Sequence, residues 1–230
     1  MTTPPGAPGP LQNPEVRAVL DRLHAAAQRD RRRFPMLAPR VALGFLRGRS
    51  FAESITPETM RHFYIAVPRD EGEFLYLTAR AIGARHIVEF GTSFGISTVY
   101  LAAAVRDNGG GIVIGSELEA NKHAEAVANL KEAGLAEFAD VRLGDAMETL
   151  QEVPEPVDLV FLDGWKDLYL PVLGLLQPKL RPGAVVLADN IHTFKKSLRP
   201  YVERMQAPGG PFASSTTSIS DGVEYSVYLG

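Results

Sequence analysis

The sequence predicts an α/β protein: a mostly parallel sheet with helices on both faces, an antiparallel C-terminal hairpin and an N-terminal helical extension. Three observations carry this. From Arg85 onward, short apolar runs alternate with helix-length segments, the pattern of repeated βαβ units. Two of those runs, LVFLDGWK at 159–166 and VVLADN at 185–190, stop abruptly on carboxylates with one helix-sized connection between them, so they read as neighbouring parallel strands. An earlier run leads straight into EFGTSFGIS, a glycine-containing turn that opens a helix.

Taken in order, the chain begins with MTTPPGAPGP, a Pro/Gly-rich tail expected to be disordered over 1–14. Val16, Val19, Leu20, Leu23, Ala26 and Ala27 then recur at helical spacing to about Phe34. Pro35, Pro39 and Pro57 break the next segment into short pieces, and residues 15–62 are read as a helical extension, a lid or a dimerisation arm. The main domain spans 63–230. A loop around AVPRDEG enters a helix over roughly 71–82, and RHIVEFG (85–91) is the first strand. SFGISTVYLAAAV (93–105) is a helix and GIVIGSE (111–117) the second strand. Residues 119–133 form a helix stopped by Gly134. DVRLGD (140–145), VDLVFLD and AVVLADN are the third, fourth and fifth strands. A helix around 195–206 precedes a hairpin that turns at Asp221-Gly222. Five parallel strands and two hairpin strands make a seven-stranded sheet.

Composition narrows the functions. Hydrophobic residues are 45% and charged residues 22% of the 230, as in ordinary globular proteins. A net charge of −3 gives no push toward nucleic acid or an anionic membrane. The absence of cysteine excludes disulfides, thiolate zinc sites and cysteine nucleophiles. No apolar stretch has the length of a membrane span, and the N-terminus lacks the basic start and apolar centre of a secretory signal. The expectation is a cytoplasmic protein that acts on a small molecule, with no membrane or nucleic-acid partner.

The strand ends carry the chemistry. Asp163, Asp189 and Asn190 open onto one crevice at the carboxyl edge of the sheet. Two carboxylates and an amide oxygen suit a hard divalent cation such as Mg2+. Lys166 brings an amine to the same rim. At the first turn, Gly91 lets the backbone bend tightly and Gly95 lets the next helix pack close. Glu117, ending the second strand, can accept hydrogen bonds from both hydroxyls of a ribose. The turn is GTSFG, not GxGxxG; Ser93 or Phe94 would obstruct close approach of a pyrophosphate. S-adenosylmethionine, which has no phosphate, is therefore favoured over NAD. Asp145 is placed either to meet the adenine or to cap the next helix, and both readings stand.

Together VEFGTSFGISTVYLA, SELE, LGDA, LVFLDGWKDLYLP and LRPGAVVLADN resemble the cation-dependent class I O-methyltransferases, most of all those of the catechol O-methyltransferase type. The resemblance covers roughly 63–230. It implies the Rossmann-like S-adenosylmethionine methyltransferase fold and transfer of a methyl group to one hydroxyl of a small vicinal dihydroxy aromatic. It implies a magnesium site of Asp163, Asp189 and Asn190, Lys166 as the base, and Glu224 as the acid that holds the second hydroxyl. For the cofactor it implies Glu117 on the ribose and Glu89, Gly91 and Ser97 around the methionine part. Val67, Asp145, Ala146, Asp163 and Trp165 complete the cofactor set. Phe63 falls at a gating aromatic, and a homodimer is a family expectation. Two positions depart from the pattern: Gly164 replaces a histidine beside the adenine, and IHTF after Asn190 lacks a proline that grips a flat ring. The rival readings are an NAD-dependent oxidoreductase, which leaves the Asp/Asp/Asn set unexplained, and a non-catalytic nucleoside-cofactor binding protein.

Overall fold

The computed structural model describes Leu11, residues 13–31 and residues 67–230. The expected tail and extension therefore lie largely outside the described residues, as does Phe63. Within them, α1 (Pro14–Arg31) is the periodic helix. The Asn13 side chain caps it, accepting from the Glu15 and Val16 amides at 2.9 and 3.1 Å. Its Val16, Val19, Leu20 and Leu23 stripe is buried.

The remaining elements alternate as expected. They are α2 (Arg69–Ala81), β1 (His86–Phe90), α3 (Ile96–Asp107), β2 (Ile112–Glu117), α4 (Ala120–Glu132) and β3 (Ala139–Leu143). Then come α5 (Ala146–Thr149), β4 (Val157–Leu162), α6 (Tyr169–Leu176), β5 (Leu180–Ala188), α7 (Lys195–Met205), β6 (Phe212–Thr216) and β7 (Glu224–Tyr228). Gly134 ends α4 in a left-handed conformation, φ +67. The Leu135 amide returns to the Leu130 carbonyl and the Gly134 amide to that of Lys131, which satisfies carbonyls the helix would leave open.

The strands form one sheet in the order β3-β2-β1-β4-β5-β7-β6. Every neighbouring pair is parallel except those made by β7, which runs against both β5 and β6. Successive side chains point to opposite faces, so each strand feeds two cores. Ile87, Val113, Leu159, Phe161, Val185 and Leu187 face α1–α4. Val88, Ile114, Val160, Leu162 and Val186 face α5–α7. Burying each such side chain is worth about 1.5–3 kcal/mol, and continuous apolar strands follow from having both faces covered.

The hairpin departs from expectation. Asp221-Gly222 is not a two-residue turn; residues 217–223 form a longer loop. Within it the Gly222 amide closes onto the Ile219 carbonyl at 2.9 Å, with Ser220 at φ +52. The loop lengthens because it is also stitched to the segment after β5: the Ile191 and His192 amides donate to the carbonyls of Gly222 and Asp221. Among the described residues, no helix is long and apolar enough to cross a membrane.

Candidate active site

The strand order reverses between β1 and β4, and ligands of open α/β sheets bind outside such a point. Here the two turns nearly touch. A Cβ at Gly91, which has φ +97, would lie 2.6 Å from the Gly164 nitrogen and 2.7 Å from the Asp163 carbonyl. Glycine at 91 is thus required twice, by backbone conformation and by space. Gly164 is explained the same way: a Cβ there would strike the Phe90 ring.

Asp163 follows β4, and Asp189 and Asn190 follow β5. Lys166 Nζ stands 3.2 Å from Asp163 Oδ1 and donates to the Tyr169 hydroxyl at 2.8 Å. The Tyr169 hydroxyl in turn donates to the Asp189 carbonyl at 3.2 Å. The ammonium also lies over the rings of Tyr169 and Phe194, 5.0 and 5.5 Å from their centroids. Asn190 adopts φ +66, a conformation asparagine tolerates better than most residues. Its side-chain amide donates to Asp189 Oδ2 at 2.7 Å, which leaves its own oxygen as the free ligand atom.

The electrostatics of this cluster ask for a cation. Burial, and then the charge of Asp163, push Asp189 up to about 7. Burial raises Asp163 as well, against the nearby Lys166 ammonium. Two desolvated carboxylates acting on each other are relieved by positive charge between them, and two carboxylates with an amide oxygen form a hard donor set. Among the described residues, no three or more His, Cys, Asp or Glu side chains form a cage for an ion. An ion here would rest on the Asp/Asp/Asn set and keep other oxygens.

The structure also brings in Glu71, which sequence reasoning missed. It lies in the first turn of α2, fully buried. Burial, then the charges of Asp189 and Asp163, raise it to about 9. Ser220 and Asp189 come near enough to act on its charge, yet both its oxygens lack a hydrogen-bond partner. Its sequence context, RDEGE, looks like a solvated helix start. Tyr169 was missed too, although it stands in the WKDLYLP run; its hydroxyl became legible only with the Lys166 contact.

On the other side of the switch point, Glu89 is fully buried on β1. Thr92 and Thr98 donate to its Oε2, at 2.8 and 2.5 Å, while Oε1 has no partner. Burial raises its pKa, opposed by the hydroxyls of Ser97, Thr98 and Thr92. An orphaned buried carboxylate oxygen fits the ammonium of an amino-acid moiety. Glu117 is pinned by the Ser93 and Glu119 amides at 2.7 and 2.8 Å, with lone pairs to spare for a diol. Val67 is buried just before α2, Ala146 is buried at the start of α5, and Trp165 stands 37% exposed on the rim. The Asp145 side chain accepts from the Met147 amide at 2.8 Å, the helix-capping alternative, worth about 1 kcal/mol.

Glu224 is committed to other partners. It opens β7 opposite Ala188, fully buried. Gln206 donates to its Oε1 at 2.8 Å, Ser214 donates to the same oxygen, and Thr216 donates to Oε2. The described hydrogen bonds tie it to Gln206, which follows α7, and to β6, not to the Asp163–Asp189 cluster.

Residues 88–191 match the family described as methyltransferase domain. Over 129 residues the chain is 38% identical to the catechol O-methyltransferase of Mycobacterium tuberculosis, 55% of this chain and 57% of that one. Over 126 residues it is 28% identical to caffeoyl-CoA O-methyltransferase 1 of Eucalyptus globulus, 53% of this chain and 50% of the relative. The chain thus spans about half the length of these curated relatives. The solved structure of an O-methyltransferase from Bacillus cereus in complex with SAH superposes with a TM-score of 0.65 at 27% identity, covering 71% of this chain and 82% of that one.

Proposed function

We propose, for a chain that carries a methyltransferase domain over residues 88–191 on the Rossmann-like fold of the class I O-methyltransferases, that it transfers a methyl group from S-adenosylmethionine to a hydroxyl of a small vicinal dihydroxy aromatic, with a divalent cation. The observation that carries this reading is the gathering of Asp163, Asp189, Asn190 and Lys166 at the switch point, beside the unpartnered oxygen of Glu89. We take Asp163, Asp189 and Asn190 to hold the cation, which, when bound, favours the ionised form of the substrate oxygen. Glu117 receives the ribose, and Glu89 with Gly91 and Ser97 the methionine part.

S-adenosylmethionine supplies the methyl on a sulfonium sulfur, which keeps the C–S electron pair as the new C–O bond forms. The proton of the attacking hydroxyl passes to the lone pair of Lys166 Nζ, which acts in its neutral amine form and stands 3.2 Å from Asp163 Oδ1. A phenol has a pKa near 10, so removing that proton decides whether the oxygen is nucleophilic. Tyr169 fixes Nζ from below: its hydroxyl proton goes to the Asp189 carbonyl, so its lone pair faces the lysine. Alignment of oxygen, carbon and sulfur can supply up to about 7–11 kcal/mol.

A cysteine-free chain suits the cytoplasm, where we place the enzyme, and we infer a homodimer from the family resemblance alone. The caffeoyl-CoA relative favours a second substrate, a dihydroxyaryl thioester. The experiment is methyl transfer to free catechols and to such thioesters, with Mg2+ and with excess chelator. Turnover lost on chelation is expected; turnover untouched by chelator removes the cation, and no cofactor binding removes the reading.

A further inference from the structure

We propose that Glu71 receives the second hydroxyl of the substrate, the one that is not methylated. The inference rests on the methyl-transfer reading. A buried carboxylate with no partner costs about 1–3 kcal/mol or more, so its retention calls for a donor that arrives with a ligand. Both Glu71 oxygens are in that condition, and the groups around them in the crevice are Asp163, Asp189 and Ser220. The two carboxylates offer no proton when ionised, and the Ser220 hydroxyl, although near, makes no hydrogen bond to either oxygen. A vicinal diol held at Asp163 and Asp189 through one oxygen would present its other hydroxyl to this wall.

Two further observations favour this assignment. Glu224, the acid that the family pattern assigns to the second hydroxyl, already accepts from Gln206, Ser214 and Thr216. Its role is met inside the fold. And although Glu71, Asp163 and Asp189 are close enough to act on one another's charge, no three carboxylates among the described residues form an ion cage. Glu71 is therefore not a third carboxylate ligand beside Asp163 and Asp189. The Ser220 loop that comes near the acid is anchored through Asp221 and Gly222 to residues 191–192.

The test is calorimetry on the full chain with Mg2+ and S-adenosylhomocysteine, a complex that cannot turn over. Protocatechuate is compared with meta-hydroxybenzoate, which lacks the second hydroxyl. Wild type should prefer the diol, and Glu71→Leu, which removes both oxygens, should lose at least about tenfold of that preference, the scale of a buried hydrogen bond left unmade. Glu224→Gln should keep it. Glu71→Asp retains an acceptor at shorter reach and should fall between, which covers the case in which Glu71→Leu does not fold. The ratio of the two monomethyl ethers under turnover should move in the Glu71 variants and not in Glu224→Gln. An undiminished diol preference in both Glu71 variants overturns the proposal, as does a preference lost only in Glu224→Gln. If wild-type protein methylates no diol of the panel, the methyl-transfer reading itself falls, and this inference with it.

Discussion

Lys166 is held by one carboxylate, one phenol and two aromatic faces, an arrangement that fixes its amine without burying it out of reach. Lys166→Met should lower kcat by about 10²–10⁴, the usual scale of general base catalysis, with the affinity for S-adenosylmethionine unchanged by calorimetry. Equal kcat across the pH range would remove the lysine from proton transfer. Tyr169→Phe deletes the hydroxyl that links Lys166 to the Asp189 carbonyl; we expect a smaller loss, roughly tenfold in kcat, with KM for cofactor intact. Residues of this kind were unequally legible. Asp163 and Asp189 stood out because each follows directly on an apolar strand, where a polar side chain has a reason to be, and Asn190 and Lys166 because they stand within three residues of them. Glu71 did not, because RDEGE carries four charges in five residues and nothing local says that one of them is fully buried. Glu224 showed the reverse limit: its local pattern is suggestive, but the hydroxyls that satisfy it come from β6.

At the level of elements, the β1 turn is the joint on which the site depends. Gly91→Ala would force a methyl into the backbone of Asp163 and Gly164 while occupying a conformation unfavourable to alanine. The two penalties, overpacking and left-handed strain, should together cost about 2–4 kcal/mol. Denaturant unfolding would measure that, and cofactor affinity should fall with it; a variant of wild-type stability would contradict the close approach. The strand and helix spans were readable to within a few residues, since continuous apolar strands and amphipathic helices have different periods. The loop over 217–223 was not. Asp221-Gly222 satisfies the local chemistry of a tight hairpin, but contacts with residues 191–193 required a longer path, and that demand is tertiary.

For the molecule as a whole, the crowded acids set a pH dependence. Unfolded Asp and Glu release their protons near pH 4, whereas folded Asp189 holds its proton to about 7 and Glu71 to about 9. Between those limits the folded state binds more protons than the unfolded state, so stability falls as pH rises. Cation-free protein should therefore melt at progressively lower temperature from about pH 5 to pH 9, and scanning calorimetry in chelator reads this directly. A flat profile would mean that these acids do not feel one another as the structure places them. The sheet order carries a different consequence, for synthesis. β7 is made after β6, yet it lies between β6 and β5. Until β7 has been released and docked, β5 has a bare edge and β6 has nothing to pair with. A chain caught at that stage would expose unpaired backbone beside its half-built crevice, a state open to wrong partners and to proteases.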